Sequence, residues 1–272
     1  MVSVMAKSPT GARVSDKRMP AQRAAQSMIR ATMVTLIALS LCFSGTPLSA
    51  QEADEPLSLR WWHPLAAGAG VAALMIVDEP LRDAIQDGRS ESLDDMADVM
   101  AHFKDREVFF AASGGAVALG LITRSPRIVV TGVHIITAYG LSGAMMIGTK
   151  WAFGRTRPSA TPDDPLQFDW FDGGEGAAFP SGSSAVVFSL ATTLADAIDR
   201  TPVSIALYSG AALNAWARLN SDRHWLTDVT LGAIYGVTAA KFVNGEWTLF
   251  GLKLPSVWTD GESASLRFSL PG

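Results

Sequence analysis

Residues 128–149 read IVVTGVHIITAYGLSGAMMIGT, a run without Asp, Glu, Lys or Arg that ends directly against Lys150. A helix crossing a bilayer needs roughly 20 apolar residues, and this run supplies them. Its apolar residues do not alternate with polar ones, as those of a half-buried strand would. Five other stretches share the character: 61–77, 108–123, 176–195, 201–217 and 229–240, all uncharged and rich in Ala, Gly, Leu and Val. Together they predict an all-α fold, a six-helix bundle that is membrane-embedded or membrane-associated. Abundant Gly and Ala suits close helix packing in either solvent. The other five stretches are shorter or carry Ser, Thr and Asn, so only 128–149 reads as a clear span. Between the first two lies a polar segment with Leu93, Met96, Val99 and Met100 at helical spacing, an amphipathic pattern.

Outward from this core, composition narrows the function. Of 272 residues, 48% are hydrophobic and 18% charged, and the net charge of -4 argues against a nucleic-acid partner. The single cysteine, Cys42, excludes an intrachain disulfide and a cysteine metal cluster, and His63, His102, His134 and His224 are too few for a histidine-rich metal site. No metal and no cofactor are expected.

The N-terminus reads as an export signal. Lys7, Arg13, Lys17, Arg18, Arg23 and Arg30 precede an apolar run from Ala31 to Phe43, and Pro47-Leu48-Ser49-Ala50 ends on a small residue as a cleavage site does. An uncleaved anchor is the alternative, and Met19 or Met28 are possible starts. The predicted organisation is a signal or anchor over 1–50, a linker over 51–60, a helical domain over 61–243 and a tail over 244–272. In the tail, Trp247–Phe250 and Ser265–Leu270 alternate like strands and suggest a small hairpin. The expected location is exported, in the periplasm or at the cell-envelope membrane.

Three short segments carry chemistry. Lys150 and Arg157 are two helical turns apart, so both can point to one side if the helix continues to Pro158. Phe179-Pro180-Ser181-Gly182 has the form of a helix start, where backbone N–H groups and the Ser181 hydroxyl can face an anion and Gly182 allows close approach. In the run from Arg218 to Asp228, His224 and Asp228 are four apart on one helix face. Asp228 can accept the N–H of one ring nitrogen and leave the other as nucleophile or base. A solvated basic cluster, a capped helix and a surface pair explain each segment alone. Fixed cations with a backed histidine suit transfer of a phosphoryl group, whose charge spreads over equatorial oxygens.

Taken in order, the segments resemble the type 2 phosphatidic acid phosphatase superfamily over roughly Trp61 to Val243. Lys150, six residues, then Arg157-Pro158 matches the first family motif. Pro180-Ser181-Gly182 matches the second up to its histidine. Arg218, His224 and Asp228 match the third in register, with Ala217 in place of its serine. The resemblance implies a metal-independent phosphohydrolase of the cell envelope in which His224 attacks phosphorus and Asp228 orients it. Lys150, Arg157, Ser181, Gly182 and Arg218 would bind the phosphate of a small molecule or lipid. Vanadate-dependent haloperoxidases share this type of pocket and are a second enzyme class to consider.

The family's second motif ends on a histidine that protonates the leaving group, and here Ser183 stands in that place. A serine hydroxyl is no acid near neutral pH. Either Glu175 or Asp172 in the preceding loop replaces it, or the leaving group is acidic enough to depart unaided, or the chain is a weakened relative that binds phosphate. A departing phosphate monoester, with a second pKa of about 6, fits the second option. The loop from Ser159 to Ala178, with Phe168, Trp170 and Phe171, is long enough to cover the site.

Overall fold

The computed structural model describes residues 56–102, 106–174, 176–253, 256–259 and 264–267. The predicted signal and Glu175 lie outside the described residues. Strand β1 (Leu57–Leu59) leads into α1 (Trp62–Asp87), which changes from α-helix to one 3-10 turn at Met75–Val77 and back at Asp78. Then come α2 (Glu91–Ala101), α3 (Arg106–Ile122), α4 (Pro126–Phe153), α5 (Gly182–Ile198), α6 (Thr201–Asn220) and α7 (Leu226–Val243). Three short strands follow: β2 (Trp247–Leu249), β3 (Ser256–Thr259) and β4 (Ala264–Arg267).

The described residues thus form seven helical segments rather than six. The additional one is α2, whose Leu93, Met96 and Met100 pack against the main core while Val99 stays 57% exposed. The polar half of α1, after Val77, extends the first apolar stretch into a second helix long and apolar enough to cross a membrane, beside α4. Within their most apolar stretches only 11% of α1 and 22% of α4 is buried. The predicted hairpin differs in its partners. β2 pairs in parallel with β1, in register Leu57 with Trp247, so part of the predicted linker is a strand. β4 pairs antiparallel with β3 instead of with β2.

Local signals set the helix ends. Pro126 and Pro202 occupy first-turn positions of α4 and α6, where a missing N–H costs nothing. Gly154 closes α4 in the left-handed region at φ 56° and donates its N–H to the Lys150 carbonyl. The helix therefore stops well before Pro158, and Arg157 sits in a loop; the two-turn spacing expected for Lys150 and Arg157 does not apply.

Helices α4, α5 and α7 form the inner layer, with α3 against α4, α6 against α5, α2 against α6, and α1 across α7. The largest core cluster joins α5, α6 and α7 through Phe188, Tyr208, Trp216, Val229 and Val237, and Ile85 of α1 reaches it. Gly232 and Gly236 let α7 approach α5 so closely that a Cβ at either would collide with a backbone oxygen, Ser181 for the first and Ala185 for the second. That contact sets the start of α5 beside the start of α7, and the Ser181 N–H donates to the Asp228 carbonyl at 2.8 Å.

Candidate active site

The C-terminal ends of α4 and α6 and the N-terminal ends of α5 and α7 meet at one end of the bundle. A cleft of about 390 Å³ opens there. Its walls carry four cations: Lys150 from α4, Arg157 from the loop after it, Arg218 from α6 and Arg223 from the turn before α7. Gly182 and Ser183 bring the first turn of α5 to the same cleft, where free backbone N–H groups and the helix dipole favour an anion. His224 completes the wall. Burial and the neighbouring Arg223 pull Arg157 below the usual guanidinium range, with Asp228 opposing. Cations crowded in this way gain most from a bound anion.

Two predicted residues stand behind the cleft rather than in it. Ser181 is fully buried and caps α5: its Oγ accepts from the Ser184 N–H at 3.4 Å and the Ser184 hydroxyl at 3.1 Å. The hydroxyl oxygen expected to meet an anion thus accepts the bonds that start α5, and lies 3.2 Å from Ser183 Oγ. Asp228 is also fully buried. Its carboxylate accepts from the Trp225 N–H at 2.8 Å, capping α7, and from Arg155 Nη1 at 2.8 Å.

The histidine is held differently from the sequence-based expectation. Nδ1 of His224 lies 2.9 Å from the Ala178 carbonyl oxygen and 3.4 Å from Asp228 Oδ2. A carbonyl can only accept, so Nδ1 carries the proton and Nε2 keeps its lone pair. The carboxylate is the second, longer neighbour. Burial lowers the imidazole below its ordinary pKa, Asp228 partly reverses this, and Lys150 and Arg157 add to the lowering. The ring is neutral at neutral pH.

Three successive carbonyls of the preceding loop aim the site from behind. Gly176 O accepts from Arg157 Nε at 3.0 Å, Ala177 O accepts from Lys150 Nζ, and Ala178 O accepts from His224. The loop thus supports the cleft instead of covering it. Its aromatics pack on the end of α4, Phe171 edge-on against Trp151 and Trp170 tilted against Phe153, with Trp170 and Phe171 exposed.

Of the proposed acids, Asp172 is exposed and does not line the cleft. Among the described residues lining it, the one carboxylate is Asp98, from α2. His63, His102 and His134 are elsewhere: His63 stacks on Trp62, His102 accompanies the Asp98 carbonyl, and His134 lines a separate cleft of about 230 Å³ with Asp196 and Glu246. Among the described residues, no three His, Cys, Asp or Glu side chains are placed to hold a metal ion. Sequence reading overlooked Asp98, Arg155 and Arg223. Arg155 had a signal: an arginine beside Gly154, inside the Lys150 to Arg157 interval.

Residues 131–245 match the family model described as the PAP2 superfamily. Lipid A 1-phosphatase of Porphyromonas gingivalis is 32% identical over 109 residues, which make up 39% of this chain. The match spans only 21% of that relative's length. A crystal structure of Aquifex aeolicus LpxE aligns with a TM-score of 0.49 at 22% identity, over 61% of this chain and 94% of that one.

Proposed function

We propose, from the premise of PAP2-superfamily membership that the match over residues 131–245 supports, that this chain is a metal-independent phosphohydrolase. It releases phosphate from a lipid phosphate or diphosphate at the cell-envelope membrane through a phosphohistidine on His224. The observation that carries this reading is an imidazole whose Nδ1 meets the Ala178 carbonyl, on the wall of a cleft lined by Lys150, Arg157, Arg218 and Arg223. Such a ring is a ready nucleophile, and such a wall stabilises charge building on equatorial oxygens. The exposed apolar surfaces of α1 and α4 and the aromatics Trp151, Trp170 and Phe171 support a membrane setting for the cleft.

In this mechanism Lys150, Arg157 and Arg218, with the first N–H groups of α5, bind the phosphate. Nε2 of His224 forms the N–P bond as the P–O bond to the leaving group breaks. From a diphosphate, the leaving lipid phosphate departs without a proton, which suits serine at 183; from a lipid phosphate, the departing alkoxide takes its proton from water in the cleft. Water then forms a new P–O bond as N–P breaks, and its proton passes to the Asp98 carboxylate. Asp98→Asn is expected to stall that second step and leave labelled phosphate on the protein. Slow turnover without a labelled protein would remove Asp98 from the scheme.

The test is phosphate release from isoprenyl diphosphate, phosphatidic acid, lipid A and p-nitrophenyl phosphate by wild type and His224→Ala. Lipid A belongs in the panel because of the relative's name. Wild-type activity that disappears in His224→Ala supports the reading. Equal background hydrolysis by both proteins rejects it, and equal rates on all four substrates reject lipid specificity.

A further inference from the structure

Beyond its 3-10 turn, α1 presents Asp78, Arg82 and Gln86, four residues apart and so on one helix face. All three bind the segment that carries the nucleophile. Gln86 Nε2 donates to the carbonyls of Leu219 and Asn220 at 3.2 and 3.3 Å. Arg82 grips the Asp222 carboxylate with Nε at 2.8 Å and Nη2 at 2.9 Å. Asp78 accepts from the Thr227 N–H at 3.0 Å, the Thr227 hydroxyl at 2.6 Å and Arg155 Nη2 at 2.7 Å.

Arg155 passes this contact on. Its Nη1 donates to Asp228 Oδ1 at 2.8 Å and to Thr227 Oγ1 at 2.6 Å, while Nε and Nη2 also donate to the Pro165 carbonyl at 2.9 and 2.6 Å. The five N–H groups of the guanidinium therefore have acceptors, and its plane lies among the rings of Phe168, Phe179 and Trp225. Asp78, Arg155 and Asp228 have no exposed side-chain surface. A lysine has a single nitrogen and cannot reproduce this fork.

We propose that Asp78 and Arg155 are positioning residues for His224: the pair holds the Asp228 carboxylate turned toward the imidazole, and so links the first helix to the nucleophile. This rests on the reading of His224 as nucleophile. Arg155, paired with Asp228 alone, would offset most of that carboxylate's influence on the ring. Asp78 on its other side shares the guanidinium charge and leaves Asp228 free to act on His224.

The test compares pH–rate profiles of purified full-length wild type, Asp78→Asn, Arg82→Met and His224→Ala. Asp78→Asn removes a negative charge from the buried group, so His224 should be harder to protonate. Its kcat is expected to fall about tenfold with KM little changed. The acid limb should move down by about half a pH unit. Arg82→Met loosens the same segment without touching Asp228, and should leave the acid limb in place. If both variants slow turnover with no shift of the limb, the role is purely structural and the proposal fails. Arg155→Lys keeps the charge and loses the fork; wild-type kcat in that variant would also overturn the proposal, whether or not Asp78→Asn folds. Equal activity of wild type and His224→Ala would instead refute the nucleophile reading.

Discussion

Asp228→Asn is the perturbation that separates the two neighbours of the His224 ring. The carboxylate lies 3.4 Å from Nδ1, and unit charges at that distance attract by about 5 kcal/mol at an effective dielectric near 20. A transition state that has developed about half the ring's positive charge would lose about 2.5 kcal/mol, approaching a hundredfold in kcat. The loss should stop there, because the Ala178 carbonyl still holds the Nδ1 proton at 2.9 Å. The fold is affected too. Breaking a buried ion pair costs about 3–5 kcal/mol, and the lower end applies because Arg155 keeps Asp78. Measured phosphate release at saturating substrate, beside a denaturant melt of the same samples, reads both quantities. A kcat within about threefold of wild type would refute the electrostatic role. A loss as complete as that of His224→Ala in a folded protein would show that the carbonyl does not fix the tautomer.

Other expectations follow from the same geometry. Gly236→Ala drives a methyl group into the Ala185 carbonyl and toward Phe188, and should destabilise the protein by about 1–3 kcal/mol in a denaturant titration; an unchanged midpoint would refute the close contact. Because burial lowers the His224 pKa and the nucleophile must be neutral, activity should persist below pH 6.5, the ordinary imidazole value, and fall only as pH drops through the lowered one. Half-maximal kcat/KM above that value contradicts the assignment. Prolonged treatment with a chelator should leave turnover unchanged, and restoration by an added divalent ion would argue for a metal. Ser183→His should give an equal or higher rate on phosphate monoesters, and a fall would show that the site is built around serine.

The cations Lys150, Arg157 and Arg218, together with Gly182 and His224, were legible in the sequence because each lies in a short segment of recognisable spacing, and the cleft gathers them. Two of those segments fold differently from their local pattern. Gly154 adopts the left-handed conformation and breaks the helix on which the Lys150 to Arg157 spacing relied. Ser181 has a partner three residues ahead, so its oxygen caps a helix. The Asp78 to Arg155 and Asp78 to Thr227 contacts join residues far apart in the chain, which no local period encodes. Even so, Asp78 is the first charge after the long uncharged run from Trp61, and its recurrence with Arg82 and Gln86 marks a polar helix face. The six apolar helices were visible as uncharged runs. Helix α2 was visible as an amphipathic pattern, and its contribution to the cleft, Asp98, required the tertiary fold.

The buried cluster of Asp78, Arg155 and Asp228 has a formal charge of minus one, so with a neutral imidazole the interior behind His224 is unbalanced at rest. A phosphorylated ring of the proposed intermediate carries positive charge, which would offset the charge of that cluster. The protein is in that sense charged in advance for the covalent state. Return to the resting enzyme, when the N–P bond breaks, is the direction that the interior opposes. For the proposed mechanism, hydrolysis of the intermediate is accordingly the half-reaction that this arrangement would slow.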